Sequence, residues 1–401
     1  MNRAVLSIGS NSTRVLVATL ANQNPQVLYA ASIGTRIGEG LKTDGHLGDE
    51  PMARTLNALR EHLAAIAAFA PMHVTVVATN AVRRAKNADA FAAMVFALTN
   101  VQLRILSGDD EARAAYRGAL TALSSIERAT RTRFGVIDTG GGSTEYAVGH
   151  SSRPDVAISC EIGAVRLTER FAQLAGKSGP IADDVLSEAL FAARERLAAL
   201  AAFPFVERLL CVGGSATSLA ALIAGSGEPV PSRVLTRQQI QQGIEMLRER
   251  AFEQRIAMPG MRAQRADILL AGALILDSAF ALLGHERALT TTADLPLGVL
   301  LLDAEESGAS AAQEPFREEP AMQDAEIQSQ IDVLVEEKNR LLEHDDAHPM
   351  SDQTRSRVEW LEVELDRLWD LLRQRRARRE FGQDPEVATI RPADVVENYV
   401  E

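Results

Sequence analysis

The sequence predicts two α/β domains followed by an all-α helical hairpin. Three observations predict this architecture: strand and helix patterns alternate through the first 300 residues, two glycine turns of the same form recur 131 positions apart, and the pattern changes to helix alone after residue 324. At roughly 150 residues per domain, a chain of 401 residues has room for two or three such units. Its hydrophobic fraction of 46% is sufficient to build a core in each.

The first domain is predicted over residues 1–124. Apolar runs at 4–6 and 14–18 flank a glycine turn, which favours a strand, a tight turn and a returning strand. Farther along, the residue pattern predicts a strand at 74–79, a helix at 88–98, a strand at 101–106 and a helix from Asp109. Strands that alternate with helices in this way are typical of an α/β sheet.

The second domain is predicted over residues 125–296, where the same succession of elements restarts. The predicted elements are a strand at 133–138, helices at 165–174 and 184–201, a strand at 208–212 and helices after Ser215 and Thr236. Residues 304–323 lack apolar periodicity and contain Pro315 and Pro320, so they are predicted to be a linker.

Residues 324–401 form a third predicted unit, in which helical patterns occur without strands. Apolar residues three or four positions apart give each of two helices one apolar stripe. The stripes are Ile327, Ile331, Leu334, Leu341 and Leu342 on the first helix and Val358, Leu361, Leu365, Leu368 and Leu372 on the second. Pro349 and Ser351 separate them, so we expect an antiparallel hairpin. Two helices alone bury little apolar area, and we therefore also expect self-association, in the simplest case a homodimer.

The net charge of −12 is concentrated near the C-terminus. Residues 1–302 contain 30 Lys and Arg against 28 Asp and Glu, whereas residues 303–401 contain 12 against 26. A nearly neutral body can accept a polyanion through local arginines, but the acidic tail argues against general nucleic-acid binding. Solubility explains the acidity of the tail as well as any regulatory role does.

Composition also bears on where the protein works. Cys160 and Cys211 are too few for a disulfide framework. The first strand begins at Ala4, which leaves no room for a signal peptide, and no apolar run approaches the roughly 20 residues that cross a bilayer. We therefore expect a soluble, cytoplasmic protein that makes no membrane contact.

Two glycine turns carry the strongest chemical signal in the sequence. They are Ile8-Gly9-Ser10-Asn11-Ser12 and Thr139-Gly140-Gly141-Gly142-Ser143. Glycine lets backbone N–H groups close around an anion, so we interpret the pair as a duplicated phosphate cradle, although one such turn alone would pass for an ordinary hairpin. A third turn, Gly213-Gly214-Ser215, joins a strand to a helix and fits phosphate contact or close packing equally well.

Three acidic residues near these turns are candidates for metal binding and catalysis. Asp138 and Glu145 flank the second turn, where they could hold Mg²⁺ or Mn²⁺ beside a phosphate; otherwise they are turn and strand-edge residues. Glu111 follows Ser107 and Asp110, which resemble a helix capping box. Since capping does not use Glu111, we predict that it orients or deprotonates a water for attack on a terminal phosphoryl group.

Arg14 and Arg83 are the candidate phosphate-binding cations. Arg14 follows the first turn and Arg83 lies just after a predicted strand. A guanidinium fork matches phosphate oxygens bidentately. The chain has 38 Arg and only 4 Lys, however, so a background preference for arginine would account for either residue alone.

Together these motifs resemble the exopolyphosphatase and guanosine pentaphosphate phosphohydrolase family over residues 3–302. Besides the first two turns, the resemblance rests on Ser107-Gly108, Glu111-Ala112-Arg113, the run Gly163-Ala164-Val165-Arg166-Leu167-Thr168-Glu169-Arg170-Phe171, Gly213-Gly214-Ser215-Ala216-Thr217 and Arg265-Ala266-Asp267-Ile268 with Gly272. Residues 324–401 separately resemble small bacterial proteins of unknown function, through the segments 361–366, 369–377 and Arg391-Pro392.

The resemblance implies two ribonuclease-H-like domains of the actin, Hsp70 and sugar-kinase superfamily, facing a cleft, with residues 297–303 returning to the first domain. It also implies Mg²⁺-dependent release of terminal phosphate from polyphosphate or guanosine pentaphosphate. In that comparison Glu111 activates the water, Asp138 and Glu145 contact metal or phosphate, and Arg14 and Arg83 contact phosphate.

Two positions depart from the family pattern. Ser7 stands where relatives usually carry an aspartate, and Asp294-Leu295-Pro296-Leu297-Gly298 lacks the arginine and glutamate that usually precede the glycine. Because a lost carboxylate in the reaction centre can lower turnover, a phosphate-sensing protein without catalysis is the alternative hypothesis. A sugar or acetate kinase of the same superfamily is a third, less favoured option, since the segment 107–113 points to water as the nucleophile.

Overall fold

The computed structural model describes residues 2–21, 24–123, 132–226, 232–306, 324–343, 352–380, 383–385 and 388. The described residues up to 306 belong to one compact unit and those from 324 onwards to another. The predicted junction near residue 125 and most of the predicted linker at 304–323 lie outside the described residues. The first unit contains two lobes, each built around one sheet.

The first lobe has a five-stranded mixed sheet. Its strands are β1 (Asn2–Ile8), β2 (Ser12–Ala21), β3 (Asn24–Gly34), β4 (His73–Ala78) and β5 (Leu103–Ile105). They are ordered β3-β2-β1-β4-β5, with β1, β2 and β3 antiparallel and β1, β4 and β5 parallel. The first glycine turn therefore connects two central strands at the end of the sheet where β4 also ends.

Five helices belong to the same stretch of chain: α1 (Leu41–Asp44), α2 (Asp49–Ala67), α3 (Asn80–Arg83), α4 (Ala88–Thr99) and α5 (Gly108–Ala119). Helices α2 and α4 cover one face of the sheet and enclose a core that includes Leu6, Leu59 and Phe91. The short helix α3 begins directly after β4, so its side chains lie beside the turn between β1 and β2.

The second lobe repeats this arrangement with six strands. They are β6 (Phe134–Thr139), β7 (Thr144–Gly149), β8 (Val156–Cys160), β9 (Arg208–Val212), β10 (Ser232–Thr236) and β11 (Arg287–Thr291), in the order β10-β11-β9-β6-β7-β8. Its helices are α6 (Ala164–Arg170), α7 (Asp183–Leu197), α8 (Gly213–Ala224), α9 (Arg237–Arg248), α10 (Phe252–Ile256) and α11 (Leu269–Leu283). Helix α11 is buried on all sides in the largest apolar core of the chain.

Two helices lie between the sheets. Helix α12 (Leu295–Glu306) packs on the first sheet against Val5 and Val77, whereas α5 packs on the second sheet against Phe134 and Val136. The two helices cross in close contact, because a Cβ on Gly298 would collide with the backbone of α5. The chain thus passes between the lobes at these two helices. Their contact fixes the two sheets, and with them the glycine turns, relative to each other.

The second unit is a helical hairpin of α13 (Asp324–Glu343) and α14 (Asp352–Glu380). The helices are antiparallel, since Asp324 at the start of α13 pairs with Arg375 and Arg379 near the end of α14. Most of the predicted stripe residues that the structure describes are buried or half-buried, but Leu342 is exposed. Within the described part of the chain, no helix is both long enough and apolar enough to cross a membrane.

Candidate active site

The first two glycine turns have the same hydrogen-bonded form. The Gly9 N–H donates to the Ser12 carbonyl at 2.9 Å, and the Gly140 N–H donates to the Ser143 carbonyl at 3.0 Å. Each turn joins a pair of antiparallel strands, β1 with β2 and β6 with β7. The duplication that the sequence suggests is therefore present in the backbone.

The two turns lie in direct contact with each other. A Cβ placed on Gly141 would lie 3.3 Å from the Asn11 Cβ, and one on Gly142 would lie 2.5 Å from the Ser10 Oγ and 2.6 Å from the Asn80 Oδ1. Only glycine permits this approach, because any side chain at Gly142 would have to displace those groups. The structure thus brings together predicted phosphate-binding residues that are 131 positions apart.

Glu111 lies on the cleft side of α5. The Ser107 side chain and Asp110 form the predicted capping box, with Ser107 Oγ accepting from the Asp110 N–H at 3.1 Å. That arrangement leaves Glu111 to pair with Arg83, whose guanidinium also donates to the Leu106 carbonyl at 2.6 Å. Burial raises the pKa of Glu111 to about 7, although Arg83 acts in the opposite direction. A buried carboxylate that titrates near neutrality is suited to general-base catalysis.

Asp138 and Glu145 are cross-strand neighbours on β6 and β7. Burial and then the charge of Glu145 raise the pKa of Asp138 to about 8; burial and then Glu111 raise the pKa of Glu145 to about 8. Glu145 accepts a hydrogen bond from the Ser159 hydroxyl at 2.7 Å, whereas no side chain among the described residues donates a hydrogen bond to the Asp138 carboxylate. Acids that repel one another in this way would be stabilised by a cation.

Asp138 and Glu145 are the residues that could hold a Mg²⁺ ion. Among the residues that the structure describes, no group of three metal-binding side chains converges on one point. Mg²⁺ commonly binds proteins through one or two carboxylates and fills its remaining positions with water and substrate phosphate. The buried pair of Asp138 and Glu145 matches that donor set.

Arg14 points into the cleft but already has a partner. Its Nη2 donates to Asp294 Oδ1 at 2.9 Å and its Nη1 lies 2.6 Å from Oδ2, while Asp294 is only 3% exposed. Ser7, the residue that departs from the family pattern, is the cross-strand neighbour of Arg14. The carboxylate next to Arg14 therefore comes from the turn after β11, and not from strand β1.

The third glycine turn supports two cleft residues. Gly213 has a left-handed φ of +84°, and a Cβ there would collide with the Asp138 carboxylate; a Cβ on Gly214 would collide with the Arg265 guanidinium. Ser215 is buried, and its Oγ has no hydrogen-bond partner among the described residues. Of the two interpretations left open by the sequence, close packing is directly visible, and the groups packed there belong to the cleft.

Sequence reasoning did not select Asp294, Arg265 or Asn80 as site residues. Burial and then repulsion by Arg14 and Arg262 lower the pKa of Arg265 to about 10, so several cations share a small volume here. Arg265 belongs to one of the family motifs, but in a chain with so many arginines nothing in the sequence distinguishes it. Asp294 is 280 positions away from its partner Arg14. Asn80 was visible in the sequence, three residues before Arg83, but an uncharged amide gave no signal.

Two α/β lobes with facing glycine turns, cleft arginines and a poised carboxylate define a phosphohydrolase of actin-like fold. The glycine turns can bind phosphate through N–H groups, and Glu111 can accept a proton from water.

The chain belongs to the Ppx/GppA phosphatase family, whose sequence profile matches residues 16–303. Residues 323–401 match a second family, DUF2630, a protein family of unknown function. Two crystal structures support the fold. The Ppx/GppA protein of Aquifex aeolicus is 27% identical with a TM-score of 0.63, covering 77% of this chain and 98% of that one. An exopolyphosphatase from Cytophaga hutchinsonii is 21% identical with a TM-score of 0.62, covering 76% and 98%.

A curated relative is the bifunctional 3-dehydroquinate synthase/phosphatase of Fusobacterium nucleatum. It is 27% identical over 311 residues, which cover 75% of this chain and 46% of the relative. This chain therefore spans about half the length of that relative.

Proposed function

We propose that this protein releases terminal phosphate from inorganic polyphosphate or from guanosine pentaphosphate, by hydrolysis of a phosphoanhydride bond. The observation that carries the proposal is the position of Glu111. It is buried, is paired with Arg83, interacts with the charge of Asp138 next to the second glycine turn, and has a pKa raised to about 7. A water beside this carboxylate would be activated next to a phosphoryl group bound by the turns.

Each cleft residue has a defined part in the proposed reaction. Backbone N–H groups of the turns at Gly9 and Gly140 hold the terminal phosphate, and Arg83 and Arg14 neutralise its oxygens. Glu111 accepts a proton from the attacking water as the new P–O bond forms and the bridging P–O bond breaks. The shortened chain leaves with the electron pair of the broken bond. Most of the rate enhancement in phosphoryl transfer comes from such positioning and charge stabilisation.

Asp138 and Glu145 are the residues that would hold Mg²⁺, or Mn²⁺ in its place. The bound ion supplies positive charge to the phosphate oxygens and lowers the cost of charge in the transition state. Both carboxyl groups have a pKa raised to about 8, so deprotonation and cation binding would be coupled.

The test is a phosphate-release assay on long polyphosphate, tripolyphosphate and guanosine pentaphosphate, with and without divalent cation. Glu111→Gln keeps the shape of the side chain but removes the base, and we expect kcat to fall by about 10²- to 10⁴-fold. Asp110→Asn is the matched control, because Asp110 is in the same helical turn but serves the capping box. Wild-type protein that releases no phosphate from any of these substrates with Mg²⁺ or Mn²⁺ would refute the proposal.

A second candidate function is sensing of polyphosphate or guanosine pentaphosphate without turnover, with the helical hairpin passing the signal to a partner. Ser7 favours it, because a serine on β1 cannot supply the carboxylate that the family pattern has at this position. Calorimetry that shows tight binding of these ligands by a protein without hydrolytic activity would select this alternative.

A further inference from the structure

Asn80 has a buried side-chain amide beside the second glycine turn, and the donor group of this amide is not used. It begins α3 directly after β4 and is only 2% exposed. Its Oδ1 lies against the second glycine turn, 2.6 Å from where a Cβ of Gly142 would stand. Its Nδ2 has no hydrogen-bond partner among the residues that the structure describes.

An unpaired buried donor is costly. Leaving such a group without a partner costs about 1–3 kcal/mol, and most buried polar groups in folded proteins are paired for that reason. Asn80 is not an isolated case here, since other side-chain atoms at the turns also lack partners within the described residues. They are Asn11 Oδ1, Thr139 Oγ1 and Ser215 Oγ. Of these groups, the Asn80 amide and the hydroxyls of Thr139 and Ser215 can donate hydrogen bonds, and unpaired buried donors are expected where a ligand provides the acceptors.

The neighbours of Asn80 indicate which ligand atoms it would meet. On one side the Gly142 backbone and Ser10 Oγ belong to the two facing turns. Arg83 lies three positions farther along the same helical turn, on the same side, and it pairs with Glu111. The Asn80 amide therefore lies beside the second turn, on the same short helix as the arginine that pairs with the base.

We propose that Asn80 is a substrate-binding residue whose Nδ2 donates a hydrogen bond to a phosphoryl oxygen bound at the glycine turns. The assignment rests on the proposed function of the cleft. An amide donor adds no charge to a site already crowded with arginines and carboxylates, and so it can bind the oxygen without altering the charge balance on which Glu111 depends. Asn80 adds a neutral contact to the charged groups that Arg14 and Arg83 provide.

The experiment compares Asn80→Ala with Asn87→Ala, a structural asparagine close by. The Asn87 side chain accepts from the Leu47 N–H at 2.8 Å and donates to the Leu47 carbonyl at 3.0 Å. For each variant we measure the Tm without ligand, the kcat and KM for phosphate release, and the Kd for tripolyphosphate by calorimetry without divalent cation. The calorimetry does not depend on turnover.

We expect opposite patterns. Asn80→Ala should keep or raise the Tm, because it removes an unpaired donor, and should weaken tripolyphosphate binding and lower kcat/KM by about 10- to 100-fold. Asn87→Ala should lower the Tm and leave the Kd and kcat/KM of the folded protein unchanged. Asn80→Asp, which keeps the shape but replaces the donor by a negative charge, should be worse than Asn80→Ala.

Three results separate the two proposals. An Asn80→Ala variant that loses Tm like Asn87→Ala and keeps wild-type Kd and kcat/KM would overturn the role of Asn80 alone. Wild-type protein that binds tripolyphosphate but does not hydrolyse it, with weaker binding by Asn80→Ala, would remove the hydrolase and leave Asn80 in place. Wild-type protein that binds none of the phosphate ligands would overturn both.

Discussion

Three carboxyl groups in the cleft keep their protons up to unusually high pH. Glu111 has a pKa of about 7, and Asp138 and Glu145 each have a pKa of about 8, with burial the largest cause in every case. Between about pH 4 and pH 7 these three residues are therefore protonated in the folded protein but ionised in the unfolded chain. This property links the chemistry of the site to the stability of the fold.

We predict a pH dependence with opposite signs for activity and for stability. Activity should rise about tenfold per pH unit up to pH 7, because Glu111 must be deprotonated to accept a proton. The contribution of these three acids to stability without ligand should be fully present below about pH 4, their unfolded pKa, and should be lost as the pH rises through about 7–8. Thermal melts from pH 5 to 9 measure this change in stability. In Asp138→Asn the Tm should depend less on pH than in the wild type.

Two results would contradict this prediction. One is a Tm that rises from pH 6 to pH 8 in metal-free buffer; the other is a melting curve for Asp138→Asn with the same pH dependence as wild type. Added Mg²⁺ should reduce the loss at high pH, because a bound cation stabilises the ionised carboxylates of Asp138 and Glu145.

The sequence identified those residues that carry a local pattern and missed those that depend on tertiary contacts. Glu111 could be predicted because the capping box of Ser107 and Asp110 left it unexplained. Asp294 has no comparable local signal, and its role as the partner of Arg14 exists only because the chain returns to the first lobe. The roles predicted for these residues in phosphate and metal binding stay predictions until they are measured.

At the scale of elements, the crossing of α5 and α12 depends on two glycines. A Cβ on Gly298 would collide with the Ala114 carbonyl, and one on Gly118 would collide with the Asp294 carbonyl. These contacts involve backbone atoms, which cannot move aside as a flexible side chain can. The close crossing also fixes α5, and with it the position of Glu111 relative to both sheets.

Gly298→Ala should therefore destabilise the protein by about 3 kcal/mol or more, the upper range for overpacking a buried contact. The matched control is Gly284→Ala: Gly284 has a φ of +69° but open space around it, so the change should cost only about 1–2 kcal/mol of backbone strain. Urea unfolding of the two variants measures the difference. Equal losses, or a smaller loss for Gly298→Ala, would show that the helices can separate at little cost.

Agreement between the predicted and the observed elements varies: some strands were predicted closely, whereas the amphipathic helix α2 (Asp49–Ala67) was not predicted. The predicted strand at 208–212 has the bounds found for β9, Arg208–Val212. Strand β3 was missed because it lies at the edge of the sheet, where several side chains are exposed and the pairing with β2 shifts register after Val17. Helix α11 was not predicted, because a helix buried on all sides has no polar face to reveal its period.

At the scale of the whole phosphatase unit, an ion pair joins the two lobes beside the cleft. Arg36 Nη2 donates to Asp267 Oδ1 at 2.9 Å, and Nη1 lies 2.7 Å from Oδ2. Arg36 follows β3 with a left-handed φ of +49°, and its N–H donates to the Asn11 carbonyl of the first glycine turn at 3.0 Å. One residue thus contacts both the first turn and the opposite lobe.

Because Arg36 links these two parts, we predict that the pair holds the turns in facing positions when substrate binds. Arg36→Gln and Asp267→Asn should each raise KM about tenfold with a smaller change in kcat, and the double variant should be no worse than either single one. Such non-additivity corresponds to a coupling free energy of about 0.5–3 kcal/mol for residues in direct contact. Scattering in solution should show a larger radius of gyration for each variant without ligand. Additive losses in KM, with unchanged dimensions, would mean that the lobes keep their closed arrangement without this ion pair.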